Sequence, residues 1–250
     1  MRGLFWLDDE AWAVIEPLVP KNQPGCLRVD DRRVISGILH VLRSGCRWRD
    51  CPQACGPWTT VHNRFNRWSR RRIWRRLLEA LAEAGALGGS VAIDSIWERA
   101  HRSAGGGKGG QKQAIGVSRG GRTTKIHLAT DLLGRPLALI LTPGNTADIR
   151  IAGELLTAAG PATRIIADRG YDTDALRREI VERGAEPVIP GRRNRKRPVS
   201  HDPRACRERW RVEAAINRLK DFRRVATRYD KLAANFQSTV ALAAVAAFWL

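Results

Sequence analysis

The sequence predicts a mixed α/β domain preceded by an all-helical N-terminal domain, and three features of its texture predict it. Residues 1–87 carry apolar side chains at helical spacing between capping residues. Gly88 and Gly89 then break the pattern. From VAIDSIW (91–97) onward, short runs rich in β-branched residues alternate with amphipathic stretches, the order expected of strands joined first by a hairpin and later by crossovers. The expected division is a helical domain over 1–87 and a sheet domain over 88–250.

In chain order, Asp8 or Asp9 caps a first helix carrying Trp12, Ile15 and Leu18, with Pro20 as its stop. A second helix starts at Asp30 and Asp31, aligns Val34, Ile38, Leu39 and Leu42, and ends at Gly45. After the turn CPQACGPW, a third helix from about Thr60 sets Val61, Phe65 and Trp68 on one stripe. A fourth follows to Ala84. In the second domain, VAIDSIW is a strand, Thr124–Thr130 and Pro136–Leu141 form a hairpin, and a helix starts at Asp148. TRIIAD (163–168) is a strand, Thr173–Arg183 a helix and EPVIP a last short strand. One helix is expected over 204–226, and the Ala-rich tail forms another.

The chain has 250 residues, 43% of them hydrophobic, which supports a buried core. Its formal net charge is +19, and such an excess points to a polyanionic partner, nucleic acid first. No apolar stretch approaches the roughly 20 residues that span a bilayer, so no membrane is expected. The N-terminus lacks a secretory pattern, and five cysteines, an odd number, argue against a disulfide framework. A cytoplasmic location follows as an expectation. Cys46, Cys51 and Cys55 read as reduced thiols in a turn, since no paired CxxC arrangement supports zinc.

The third helix leaves His62, Asn63, Arg64, Asn66, Arg67 and Arg70 off its apolar stripe. Between Gly56 and Arg76 there is no acid, whereas solvated charged helices usually mix signs. Arg and Asn suit phosphates and base edges, so this basic amphipathic helix is read as the second helix of a helix-turn-helix on double-stranded DNA.

Two acids stand out in the second domain. Asp94 sits within an apolar strand, where a carboxylate is costly unless paired or bound to metal. Asp168 ends a second apolar strand, where acids of open α/β sheets line the active crevice. Two such acids can share divalent cations, in the manner of phosphoryl-transfer sites. Asp172 and Asp174 are better explained as caps of the following helix. A third acid must come from Glu208, Glu213 or Asp221. Glu213 shares a stripe with Arg209, Asn217 and Lys220, but on the residues alone the choice stays open, because a Glu between Arg and Lys is commonly a surface ion pair. His101 and His127 are read as structural or DNA-facing.

Long segments of the chain resemble insertion-sequence transposases of the family-five kind. LDDEAWAVIEPLVP, DDRRVISGILHVLRSGCRWRDCP and GPWTTVHNRFNRWSR resemble the helical leader of that family. GRTTKIHLATDLLGRPLALILTPGNTAD, IIADRGYDTDAL and RWRVEAAINRLKDFRRVATRYDK resemble its catalytic core. The resemblance implies a ribonuclease-H-like fold and metal-dependent DNA cleavage and strand transfer, with Asp94, Asp168 and Glu213 as catalytic metal ligands. It also implies Mg2+ or Mn2+ as a pair of ions, element ends and target DNA as substrates, and a homodimer or higher oligomer when two ends are paired. Arg209 and Lys220 match the family's Arg and Lys around that Glu and are expected on DNA, while Cys206 stands where the family has Tyr. Two other classes compete. One is a catalytically inactive DNA-binding remnant, opposed by the presence of all three acids. The other is an RNA-binding protein of the ribosomal kind, which nine Trp and two acids on apolar strands fit poorly.

Overall fold

The computed structural model describes residues 4–21, 30–85, 88–105 and 113–250, so most of the glycine-rich stretch expected at 102–113 lies outside the described residues. The chain divides into two compact units.

The first unit comprises Met1–Leu81, His101–Gly107 and Leu219–Leu250, so the two ends of the chain build it together. Helix α1 (Asp9–Ile15) is capped by the Asp8 side chain on the Ala11 N–H. Helix α2 (Asp31–Ser44) starts under the Asp30 carboxylate, which accepts from the Arg32 and Arg33 N–H groups, and stops at Gly45 with φ +76°. Helices α3 (Trp58–Arg70) and α4 (Ile73–Ala84) follow. Near the other end of the chain come α9 (Arg223–Ala226) and α10 (Ala233–Phe248). Helix α2 packs against α3, α9 and α10, and this explains why Val34, Ile35, Ile38, Leu39, Val41 and Leu42 are all buried rather than one stripe alone. Helix α10 is apolar nearly all round and buries ten residues, as a helix inside a core does. Among the described residues no helix is long and apolar enough to cross a membrane.

The second unit, Ala82–Ala100 with Lys108–Arg218, is built on a six-stranded mixed sheet. Its strands are β1 (Ser90–Arg99), β2 (Gly116–Ser118), β3 (Gly121–Thr130), β4 (Pro136–Pro143), β5 (Arg164–Ile166) and β6 (Glu186–Val188). The order is β2-β3-β1-β5-β6, with β4 also paired to β3. Strands β1 to β4 pair antiparallel, while β1, β5 and β6 are parallel. The parallel pairs are connected by helix α5 (Ala152–Ala159) and helix α6 (Asp174–Glu182), as parallel strands require. Val91, Ile93, Ile165 and Ala167 meet Leu155, Leu156, Leu176 and Ile180 in one core. Strand alternation therefore turns Asp94 to the opposite face.

Three sequence expectations change here. Asp148 opens a short 3-10 turn (Asp148–Arg150) before α5 rather than the helix itself. Strand β2 had no sequence signal beyond its three residues. The single helix expected over 204–226 is three: α7 (Pro203–Arg207), α8 (Trp210–Lys220) and α9. Between α7 and α8 the backbone bonds tighten to a three-residue step, Glu208 N–H to Ala205 C=O and Arg209 N–H to Cys206 C=O. Between α8 and α9 the chain turns extended at Phe222 to bury its ring.

Candidate active site

Asp94 lies on the central strand β1, and the parallel register with β5 decides its neighbour. Val91 pairs with Ile165 and Ala92 with Ile166, the last pair of the ladder; Asp94 and Asp168 each lie two residues beyond it, near enough that the Asp168 charge pushes the Asp94 carboxyl upward. Asp168 itself stands just past β5 and caps the turn Arg169–Tyr171 by accepting the Gly170 N–H at 2.8 Å. A Cβ at residue 170 would lie 2.8 Å from the Asp168 Oδ1, so this close approach requires glycine. The turn is held from outside by Arg192, which donates to the Arg169 and Gly170 carbonyls.

Helix α8 brings the third acid. The Arg209 guanidinium, just before the helix, bridges two carboxylates: Nη1 to Asp94 Oδ2 at 2.8 Å and Nη2 to Glu213 Oε1 at 2.5 Å. Burial pushes the Asp94 carboxyl above its ordinary value; the Ser95 N–H and Arg209 oppose this, and Asp168 and Glu213 push it further up. The structure thus brings Asp94, Asp168 and Glu213 into one electrostatic neighbourhood, with acids in excess. As they stand, no three metal-ligating side chains among the described residues are close enough to hold one ion together. The donor set nevertheless fits a cation, since a cationic guanidinium already lies between two of its carboxylates. Glu208 and Asp221 make no such contact with Asp94. Lys220 lies two turns beyond Glu213 on α8 and is half-buried; Asn217 is exposed one turn on.

A polar network next to Asp94 escaped the sequence reading. The Ser95 N–H donates to Asp94 Oδ1 at 2.7 Å, and Ser95 Oγ donates to Asp148 Oδ1 at 2.6 Å. The buried Lys125 ammonium pairs with the same Asp148 oxygen at 2.9 Å and donates to the Thr146 carbonyl. His127 is buried, and burial pushes its pKa down to about 4, so it is neutral; its Nε2 meets Thr142 Oγ1 at 2.9 Å. The Tyr171 phenol is buried in the sheet core, and burial together with Asp148, Asp94 and Asp168 holds it protonated. Only the alternation of TTKIHL, which sends Lys125 and His127 to one face, could have hinted at this cluster. Asp172 is a structural anchor, buried and paired with Arg177 and Arg195; Arg195 also pairs with Asp174.

On α3 the structure separates the residues that the sequence grouped. Asn63, Arg67 and Arg70 are exposed on one face. Arg64 is not: it is 4% exposed, paired with Asp31 of α2 and stacked over Trp68 at 5.0 Å. The expectation that Arg64 faces DNA is corrected on this ground; the buried Arg64 guanidinium needs an opposite charge, and the half-buried Asp31 carboxylate supplies it. His62 is half-buried, packed on Trp48 and within 2.9 Å of Asn66 Nδ2, and burial lowers its pKa. His101 in the same unit binds Ser103 and packs on Tyr229. Cys46, Cys51, Cys55 and Cys206 are free thiols.

The site thus sets an acid on the central strand of a mixed sheet, a second just past the parallel neighbour and a third on a flanking helix. The piggyBac transposase, solved as a synaptic complex with hairpin DNA, shares the fold at a TM-score of 0.50 and 11% identity, over 96% of this chain and 71% of that one. The profile of the transposase DDE domain matches residues 89–248, and that of the DUF4096 family, described for IS4/5 transposases, matches residues 7–78. The chain belongs to the transposase DDE domain family. It is similar to a protein of Brucella ovis named as a transposase for insertion sequence element IS6501, 36% identical over 51% of this chain and 98% of the relative. It is also similar to two IS402 proteins of Burkholderia cepacia. These are a 16.2 kDa protein, 42% identical over 30% of this chain, and one named as the element's transposase, 36% identical over 44%. This chain spans only 56% and 55% of their lengths.

Proposed function

We propose that the protein cuts DNA at the ends of an insertion sequence and joins the freed ends to target DNA, with Asp94, Asp168 and Glu213 as the acids that hold Mg2+ or Mn2+, two ions per site. The observation that carries this reading is the Arg209 bridge from Asp94 to Glu213, with Asp168 just past the parallel strand β5 and close enough to act on the Asp94 charge. Divalent ions in such a site activate an attacking oxygen and stabilise the leaving 3′ oxygen of a phosphodiester.

The residues of this chain divide the work. Asp94 is oriented by the Ser95 N–H and, through Ser95, by Asp148 and Lys125. The Asp168 carboxylate is held by the glycine turn behind it. Asn63, Arg67 and Arg70 suit a duplex, since their side chains are exposed on one acid-free helix face. Lys220 and Arg209 suit strand phosphates near the acids. The net charge of +19 supports double-stranded DNA as the partner. Assembly as a homodimer or larger on paired ends and residence in the cytoplasm at the nucleoid belong to the same proposal. With all three acids present, the inactive-remnant reading has no observation in its favour.

The test is strand cleavage by the full chain on duplex carrying the element's own ends, with Mg2+, Mn2+ or chelator. Divalent-dependent nicking that disappears in Asp94→Asn is the expected result. End binding without cleavage under any divalent condition would leave only a DNA-binding protein.

A further inference from the structure

We infer that Arg209 is the resident counter-cation of the acid site, and that it must leave Asp94 and Glu213 before those carboxylates can take a divalent ion. The inference rests on the proposed metal-holding role of these acids. It assigns to Arg209 a positioning role distinct from simple contact with DNA.

Three observations carry it. First, the guanidinium uses two different nitrogens on two different acids, at 2.8 Å and 2.5 Å, so a single planar group neutralises both. Second, Arg209 sits at the tightened turn between α7 and α8 rather than within a regular helix. The turn aims it at the sheet, while Glu213 on the first turn of α8 reaches back to it. Third, the contacts are of intermediate burial: side-chain exposure is 18% for Asp94, 27% for Arg209 and 49% for Glu213. A cation locked in a sealed core could not exchange. This one has solvent on one side and flexible bonds along its stem, so it can swing out without unfolding the sheet.

The same charge logic explains why a cation is needed there at all. Asp94, Asp168 and Glu213 crowd one another, and without a positive partner the metal-free protein would hold three mutually repelling carboxylates near a sheet core. Arg209 relieves that repulsion. A divalent ion relieves it better, having twice the charge and no planar constraint, but it competes with Arg209 for the same oxygens. Metal binding is then an exchange, weaker than the acids alone would give. Once displaced, the guanidinium is free for a strand phosphate, which it can grip with two N–H groups.

The experiment measures Mn2+ binding to the full chain without DNA, by the loss of the free-ion electron paramagnetic resonance signal, beside thermal melting in chelator and in Mn2+. Arg209→Gln is expected to bind Mn2+ about tenfold more tightly than wild type, to melt lower in chelator, and to gain more from Mn2+ than wild type does. Arg209→Lys should fall between, because one ammonium reaches both acids less well than a fork. Asp94→Asn should lose the site. If Arg209→Gln binds Mn2+ no more tightly than wild type while Asp94→Asn loses binding, the counter-cation role is overturned and the metal site stands. If neither wild type nor Arg209→Gln binds Mn2+ saturably, the metal reading of these acids falls and the inference falls with it. If Arg209→Gln is unfolded in chelator but recovers cooperative melting in Mn2+, the exchange is supported directly, since the ion has replaced the missing charge.

Discussion

Asp94 and Asp230 are both aspartates whose carboxyls are pushed upward by burial, yet they sit in opposite company. Asp230, in the helical unit, is buried among groups that all favour its charge: Arg224, Arg228, His62 and the Thr239 hydroxyl at 3.0 Å. Arg228 is itself fully buried, brought down to about 10 by burial, and packs over Phe236. Asp94, in the sheet unit, meets one cation, Arg209, and two further acids, Asp168 and Glu213. Cations outnumber the acid in the first case, and the knot is closed. Acids outnumber the cation in the second, and the site is open to solvent on one side. The surrounding charge balance, more than burial, distinguishes the two acids.

Substitution should separate the two most sharply in what it spares. Asp94→Asn, Asp168→Asn and Glu213→Gln are each expected to lower DNA cleavage by more than about a hundredfold, beyond the loss seen for residues that only support a metal ligand. Gel-shift affinity for element ends should stay near wild type and the urea midpoint should not fall, because each change reduces acid crowding. An Asp94→Asn protein that loses stability as Asp230 variants do would erase the distinction. Asp230→Asn, by contrast, removes the negative charge that the buried Arg224 and Arg228 face and should cost about 3 kcal/mol in urea unfolding.

The two arginines Arg64 and Arg67, three residues apart on α3, sharpen the comparison within one helix. Arg64→Ala breaks a buried pair with Asp31 and should destabilise the protein by about 3 kcal/mol. Arg67→Ala should leave the melting curve unchanged and instead reduce the salt slope of DNA binding by about one phosphate contact. Equal melting losses for both would mean that Arg67 too serves the fold.

The smallest effect concerns how α8 meets the sheet. Gly134, at φ +77° in the β3–β4 turn, lies against the α8 side of the unit, where an added Cβ would come 3.3 Å from the Arg211 carbonyl. Gly134→Ala should cost about 1 kcal/mol by thermal melting, with cleavage reduced more than end binding as Glu213 shifts. Cleavage at wild-type level in a clearly destabilised Gly134→Ala protein would show that this turn does not position the helix for chemistry.

Much of the architecture was legible because local signals agreed. Asp8, Asp30 and Thr173 cap the helices that their neighbours' periodicity announced, and Gly45 ends one of them. The hairpin of β3 and β4 followed from its two β-branched runs and their turn. Where the reading went astray, the deciding contact was remote in sequence. Arg64 looked like its exposed neighbours because only the approach of α2 brings Asp31 to it. The helix expected over 204–226 is broken where Phe222 turns into the core and where the Arg209 turn meets the sheet, and neither partner lies nearby in the chain.

By itself the sequence determined most of the element types and their order, the strong positive charge and the two acids in or beside apolar strands, since propensity, periodicity and formal charge are local properties. Tertiary structure alone decided which groups share a site. Parallel pairing of β1 with β5 brings Asp168 into the neighbourhood of Asp94 across more than seventy residues, and Arg209, at the turn before α8, reaches Asp94 across more than a hundred. It also decided that Leu219–Leu250 packs with the N-terminal helices, although the matched catalytic profile runs on to residue 248. The physical reason is burial: α10 is apolar on nearly every face and needs partners all round, and α2 and α3 offer them, a pairing that no local pattern could specify.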